Sequence, residues 1–488
     1  MKKSRRALAL LLIAAMLSGV SCGSGTPGDT DAESSSAGNE QSEETLTGRD
    51  AVQDELPEKN YNNMDFVILT RTQFAYEFDS EADGDVLNDA IYRRNEIVSG
   101  RFGVNITTVE RDCDWPSTEF NAALKSSVMA GDGAYDLIAG YAATIPNLVG
   151  DKIFLDWNGM KYNDFSKPWW SEQAVEEFTI NGKCFMVTGD ISLALWEGMR
   201  CMMYNKRLAA EYGVPDLYDT VSSGNWTFDE LQKVTKNVWT DLDGDGTKSK
   251  DDRYGFMINY SNAADNLKEA FEIYVTKKGE DGLPELTFMN ERTQYALEKV
   301  NTYFATNDVL FSSDIDEHDT LSKKAFREGR AMFVALNLGS ANEMRSMDDD
   351  FGIIPYPKLD SDQKEYHSTA QDNFSFFVAP VDVKDVEMTS IITEALAAES
   401  YKNVIPVFYD VALKTKSARD EESSVMIDLI RDTLTFDFGY INSGALDSAG
   451  HLWVELLRKG SNDLSSEYAK KKSSYEKKLD ALNEAYTS

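Results

Sequence analysis

The feature that most restricts this fold is an alternation of short β-branched apolar runs with stretches of helical spacing. Residues 65–70 (Asp-Phe-Val-Ile-Leu-Thr) form a strand-type run. Leu87, Ile91, Ile97 and Val98 then recur at roughly helical intervals over 86–102. The segment 104–109 (Val-Asn-Ile-Thr-Thr-Val) alternates and is β-branched, which predicts a second strand. A helix is expected over 116–129 and a third strand over 135–140. Strands joined by helices of these lengths build a parallel sheet from βαβ units, so this part reads as an α/β lobe.

A second set follows. After a Trp-rich segment, 199–204 reads as a strand crossing to another lobe, and Thr227 with Glu230 forms a Thr-x-x-Glu capping box that opens a helix. Strands are expected at 254–258, 331–335 and 351–355, and a helix at 293–304. The run 374–378 returns the chain to the first lobe, and 464–485 reads as a charged amphipathic helix. The body after residue 60 exceeds what one hydrophobic core usually supports, which predicts two lobes. Their expected extents are 61–198 with about 378–435, and 199–377 with about 436–488. A hydrophobic content of 42% is enough to fill both.

The first residues, Met1-Lys2-Lys3-Ser4-Arg5-Arg6, are basic, and 7–17 is apolar before Ser18-Gly19-Val20-Ser21-Cys22. These are the three regions of a secretory signal over 1–21. The apolar run falls short of the about 20 residues needed to span a bilayer. A cysteine after small residues fits a bacterial lipobox, with Cys22 diacylated, although Gly19 stands where leucine is preferred. An ordinary cleaved signal is the alternative. Residues 22–60 hold few large apolar side chains and are expected to be a disordered tether. Together these predict a chain anchored by lipid to the outer face of a membrane.

The formal charge is −34, which disfavours nucleic acid and anionic lipid as partners and leaves an uncharged ligand unaffected. Beyond Cys22 only Cys113, Cys184 and Cys201 occur, with no CxxC spacing, so no disulfide scaffold or zinc site is indicated. His318, His367 and His451 stand far apart. No GxSxG, P-loop or strand-borne GxGxxG is present. Paired carboxylates for glycoside hydrolysis carry no information among 83 acids.

One motif has its own chemistry. Residues 241–252 (Asp-Leu-Asp-Gly-Asp-Gly-Thr-Lys-Ser-Lys-Asp-Asp) fit the twelve-residue calcium loop. Oxygen ligands fall at Asp241, Asp243, Asp245, Thr247, Ser249 and Asp252, with glycine at the sixth position for the sharp turn. The last ligand is Asp252 where glutamate is usual. A helix before the loop and a strand after it predict a structural Ca2+ site rather than a paired helical switch. A metal-free acidic hairpin is the alternative.

Four stretches together resemble the bacterial extracellular solute-binding proteins that include the maltose-binding protein. They are Gly131-Asp132-Gly133-Ala134-Tyr135-Asp136-Leu137-Ile138, Met203-Tyr204-Asn205-Lys206, Phe326-Arg327-Glu328-Gly329-Arg330-Ala331-Met332-Phe333, and Phe351-Gly352-Ile353-Ile354-Pro355-Tyr356-Pro357. The resemblance implies a two-lobed periplasmic-binding-protein type II fold with a hinge and an interlobe cleft. It also implies an ABC permease as partner, a carbohydrate or other small solute as ligand, and a monomer with no catalysis. Open α/β sheets bind ligands beyond the carboxyl ends of their strands. Candidate cleft residues are therefore Arg71, Thr72 and Gln73 after the first strand, and Tyr141 after the third. Trp196 and Glu197 precede the crossover and Asn337 follows the Ala-Met strand, where Leu338 replaces the tryptophan of sugar-binding relatives. Trp169, Trp170 and Trp453 are candidate stacking aromatics, at most one of the adjacent pair facing the cleft if the chain is extended there. A surface glycosidase or lyase, a peptide-binding protein and a sensor subunit are the other readings.

Overall fold

A computed structural model describes residues 48–113, 117–260, 262–312, 318–409 and 420–487. The predicted signal, Cys22 and the tether up to residue 47 lie outside the described residues. Two α/β sheets organise the rest. The first contains β1 (Met64–Arg71), β2 (Val104–Arg111), β3 (Leu137–Tyr141) and, much later, β11 (Ser375–Val378), in the order β11-β3-β1-β2. The helix Val86–Phe102 connects β1 to β2. Asp85 caps its start by accepting from the amides of Leu87 and Asn88, and Gly103 ends it at φ 60°, a conformation suited to a residue without Cβ. A second helix, Glu119–Ala130, leads to β3. Phe66, Ile68 and Leu137 on this sheet pack with Ile391, Ile392 and Leu396 of the helix Val386–Glu399.

The second sheet has the order β10-β4-β9-β5-β8. It comprises β4 (Arg200–Asn205), β5 (Tyr254–Asn259), β8 (Val309–Ser312), β9 (Ala331–Asn337) and β10 (Phe351–Ile354); β6 (Thr276–Lys278) and β7 (Pro284–Leu286) form a separate hairpin. The expectation of purely parallel sheets is corrected. β1, β2 and β3 are parallel to one another, as are β5, β8 and β9, but β11, β4 and β10 run antiparallel to their neighbours. Two of the reversed strands, β4 and β11, enter their sheets directly after a crossing between lobes, with no helix to turn the chain back.

The crossings lie side by side. Met199 bridges Ala370, and the Gln371 amide donates to the Gly198 carbonyl (2.8 Å). Ser368 bridges Leu434, with the Thr435 amide on the Ser368 carbonyl (2.8 Å). These three paired segments form the hinge of a two-lobed body.

Three expected boundaries move. The tether was drawn to residue 60, yet Asp54 is buried against Arg101 and the Arg49 guanidinium lies 4.3 Å from the Tyr401 ring centroid, so 48–60 belongs to the first lobe. The helix Glu421–Asp432, assigned to the first lobe, packs on the second. Ser423 Oγ accepts from the Ile353 amide of β10 (3.2 Å), and Asp420 pairs with Lys206. The C-terminal helix Leu464–Thr487, assigned to the second lobe, reaches both. Asn483 donates to the Pro284 carbonyl in the hairpin, while the buried Tyr486 ring lies 5.3 Å from Phe185 in the first lobe. No described helix is long and apolar enough to cross a membrane.

Candidate functional site

β1 and β3 in the first sheet and β5 and β9 in the second direct their carboxyl ends toward the hinge crossings. A cleft of about 260 Å3 opens there. It is lined by Phe74 beyond β1, Glu197 and Gly198 before β4, Asn337 and Gly339 at the end of β9, and Asn373 before β11. Glu197 closes the short helix Leu193–Glu197, and the Tyr76 hydroxyl donates to its carboxylate. Burial, reinforced by nearby Glu77 and opposed by the Tyr76 hydroxyl, pushes Glu197 up to about 7. Lys323 and Glu343 form an ion pair at the rim (2.6 Å). Gly339 approaches the Glu197 backbone so closely that an added Cβ would sit 3.3 Å from it.

Buried charges hold this wall in place. Glu77 accepts from Ser192 Oγ (3.0 Å), the Ala194 amide (3.0 Å) and Ser375 Oγ (2.6 Å), tying the β1 loop to the crossover helix and to β11. Arg71 donates to Ser375 Oγ (3.0 Å) and lies 3.9 Å from the Phe74 ring centroid, presenting that ring to the cleft.

Behind the opening lies a second layer. Asp265 lies just beyond β5, 2.9 Å from Lys268 and 2.8 Å from His451 Nδ1, and the Lys268 ammonium lies 3.8 Å from the Tyr440 ring centroid. Burial alone would raise Asp265, but Lys268 and His451 hold it below the usual carboxylate range. Glu269 is pushed to about 7 by burial despite Lys268 beside it. Burial likewise raises Asp372, which lies within the fields of His451, Asp265 and Arg200. The Asn266 side chain, Asn373 Oδ1 and the Tyr440 hydroxyl are enclosed without a hydrogen bond from the protein, whereas Glu269 Oε1 lies 2.9 Å from the Lys268 ammonium. Leaving such an atom unpaired costs about 1–3 kcal/mol. Of these groups, Asn373 lines the cleft itself.

Of the residues singled out from sequence, Glu197 and Asn337 line this cleft; Asn337 Oδ1 also caps the following turn by accepting from the Ser340 amide (3.0 Å). Arg71 is a buried support, stacked between Phe74 and the half-buried Tyr141. Thr72 and Gln73 are exposed and off the cleft lining, with the Gln73 amide turned onto Asp112. Trp453 is wholly buried in the second lobe and donates to the Ala264 carbonyl (3.0 Å). Trp169 and Trp170 lie in the core of the first lobe. The chain turns at 167–169 instead of extending, so both indoles point the same way and donate to one carboxylate, Glu394 (2.8 and 3.0 Å). Trp196 faces away from Glu197 into a different cavity. Sequence reading missed Phe74, Tyr76, Asn266, Lys268, Glu269, Asp372, Asn373, Tyr440 and His451. Their signal was positional: they lie just past β1, just past β5 and beside the two later crossings.

The acidic loop lies elsewhere, immediately before β5 and thus at the opposite sheet edge from the cleft. Carboxylate oxygens of Asp241, Asp243 and Asp252 lie within 4.8 Å of one another. Asp241 accepts from the amides of Gly244 (2.6 Å) and Gly246 (2.7 Å), and the buried Asp252 from those of Leu242 (3.1 Å) and Ser249 (2.9 Å). Lys248 anchors the loop to the Thr306 carbonyl (3.1 Å), and Arg330 to the Lys250 carbonyl (2.8 Å). Cys113, Cys184 and Cys201 are free, buried thiols.

The profile of the bacterial extracellular solute-binding protein family matches residues 102–423, about two thirds of the chain. The chain belongs to that family. Its two-lobed body has the periplasmic-binding-protein type II fold. A cyclo/maltodextrin-binding protein complexed with maltotetraose superposes with a TM-score of 0.55 at 14% identity, covering 87% of this chain and 96% of that one. The cyclic α-maltosyl-1,6-maltose-binding protein from Arthrobacter globiformis gives 0.54 at 15% identity, with 87% and 98% covered. An ABC substrate-binding protein from Listeria monocytogenes in complex with cycloalternan gives 0.52 at 14% identity, with 86% and 98% covered. No curated protein sequence matches the chain.

Proposed function

We propose that this solute-binding protein captures an uncharged oligosaccharide between its lobes outside the cell and passes it intact to an ABC permease. The observation that supports the reading most is the polar lining of the cleft, where Glu197, Asn337 and Asn373 stand beside the Phe74 ring and Asn373 Oδ1 has no hydrogen bond from the protein. A sugar hydroxyl both donates and accepts, so a polyol satisfies such a set, and the Phe74 ring offers a face for sugar C–H groups. The sugars named for the structural relatives point the same way. Closure about the three-stranded hinge would follow from ligand contacts made to both lobes at once. In this account the protein works as a monomer without turnover, and lipid on Cys22 holds it at the outer face of the membrane.

A thermal-shift panel of neutral oligosaccharides tests the reading. A ligand at a hundredfold excess over its dissociation constant stabilises by about 2.7 kcal/mol, and mass analysis should recover it uncleaved. Cleaved product would favour the glycosidase reading instead.

Ca2+ held by Asp241, Asp243, Asp245, Thr247, Ser249 and Asp252 is part of the same proposal. The fit rests on three converging carboxylates whose backbone is already folded around them. Because the loop leads into β5 at the edge opposite the cleft, the ion would stiffen the second lobe and leave the ligand untouched. Added Ca2+ should raise the melting temperature of the wild type but not of Asp241→Asn, with sugar affinity equal in both. A calcium-dependent affinity would contradict the structural role.

A further inference from the structure

A pocket larger than the interlobe cleft lies outside it. It has a volume of about 620 Å3, and Phe165, Trp170, Trp196 and Tyr401 supply its aromatic walls. The short helix Leu193–Glu197 separates the two cavities: Glu197 lines the cleft, and its neighbour Trp196 lines this pocket.

The pocket's cations are already engaged. Arg49 donates to the Tyr401 carbonyl (2.9 Å), Lys167 pairs with Glu55 (3.2 Å) and Arg431 with Asp432 (3.0 Å). Asp190 differs. It is 6% exposed and lines the pocket, yet no hydrogen bond of normal geometry reaches its carboxylate from the described residues. The Trp196 indole N–H faces it, itself buried and without a hydrogen bond of normal geometry. The indole N–H groups of Trp157, Trp169, Trp170, Trp226 and Trp453 have acceptors, and that of Trp239 also lacks one. An acceptor and a donor thus face each other at the pocket wall without a hydrogen bond of normal geometry between them.

We infer that this pocket is a second carbohydrate site, in which one sugar hydroxyl donates to Asp190 while accepting from the Trp196 indole N–H. A hydroxyl is the simplest group that satisfies both. A carboxylate would meet Asp190 with like charge, so uronic acids are excluded. The ring faces of Phe165, Trp170 and Tyr401 suit the apolar side of a pyranose. The site is separate from the interlobe cleft, with first-lobe aromatics on one side and Arg431 and Asp432 of the helix packed on the second lobe on the other.

Fluorine NMR of the whole mature chain labelled with 5-fluorotryptophan tests this directly, with resonances assigned by single Trp→Phe variants. The probes are neutral mono- to tetrasaccharides, including maltotetraose, with galacturonic acid oligomers as the excluded class. The cleft is disabled separately by Asn266→Ala/Glu269→Ala. The expected result is a saturable shift of the Trp196 signal in the wild type and in the cleft-disabled protein, weakened at least tenfold by Asp190→Asn. Trp196→Phe, which keeps the ring and removes the N–H, should weaken sugar binding as followed at Trp170, and circular dichroism and melting temperature show whether each variant is folded. The inference is overturned if Trp196 moves only when the cleft is intact, since it then merely senses closure, or if uronates shift it equally. It also falls if sugars stabilise the wild type without moving Trp196, an outcome that leaves the cleft reading standing. If no sugar stabilises the protein or moves any resonance, both readings fall.

Discussion

Two glutamates, one in each lobe, are alike in burial and differ in the partners that surround them. Glu394 and Glu269 are both at most 1% exposed, and burial pushes both up to about 7. Glu394 is satisfied: two indoles, the Asn163 side chain and the Asp164 amide all donate to it. Glu269 has the Lys268 ammonium 2.9 Å from one oxygen and no hydrogen bond of normal geometry on either. Burial alone does not mark a binding site. A buried polar group with few protein partners is the better candidate, because the fold has borne more of the desolvation cost without compensating contacts.

The largest effect that separates the pair is on stability. Glu394→Leu strips two buried indole N–H groups of their acceptor and should destabilise by about 3–5 kcal/mol at about 1–3 kcal/mol per orphaned group, read from urea unfolding. Sugar affinity should change little. Glu269→Ala should lower sugar affinity by about tenfold, or 1.4 kcal/mol, as expected for a lost ligand hydrogen bond, and should destabilise less than Glu394→Leu because Lys268 keeps Asp265 as a partner. If Glu269→Ala destabilises as strongly as Glu394→Leu, the distinction collapses and Glu269 is structural.

The same contrast explains what could be read from the chain. The alternation of strand and helix revealed both α/β lobes, because a period of two or of 3.6 survives without tertiary knowledge. Antiparallel entry of β4 and β11 was hidden, since strand direction leaves no mark on periodicity. Glu197 and Asn337 were legible as residues flanking predicted strands. Trp169 and Trp170 misled because aromatic chemistry is shared by cores and sugar sites, and only the acceptor on Glu394, 224 residues away from Trp170 in sequence, decides between them. Asn266, Glu269 and Tyr440 were illegible for the converse reason: what marks them is a missing partner, which no local pattern encodes. The tether's far boundary moved because Asp54 finds Arg101 only in three dimensions.

A smaller effect sharpens the comparison through pH. A carboxyl whose folded pKa is raised binds its proton more tightly in the folded state than in the unfolded one. Its contribution to stability is therefore complete below the ordinary glutamate value and is lost as pH rises through the folded value. For Glu394 that window runs from about 4.5 to about 7. Unfolding free energy should fall across it, and Glu394→Gln should flatten part of the slope. In Glu269→Gln the stability slope should flatten likewise, but there the pH dependence of sugar affinity should change as well. An unchanged affinity profile would separate Glu269 from the ligand.

The central claim is that two lobes close on a sugar that leaves unaltered, and small-angle X-ray scattering with mass analysis of the recovered ligand tests it most directly. With a neutral oligosaccharide that raises the melting temperature, the account predicts a smaller radius of gyration at saturation, no such change in Asn266→Ala/Glu269→Ala, and the sugar returned at its original mass. An unchanged radius in the wild type together with cleaved sugar would contradict it.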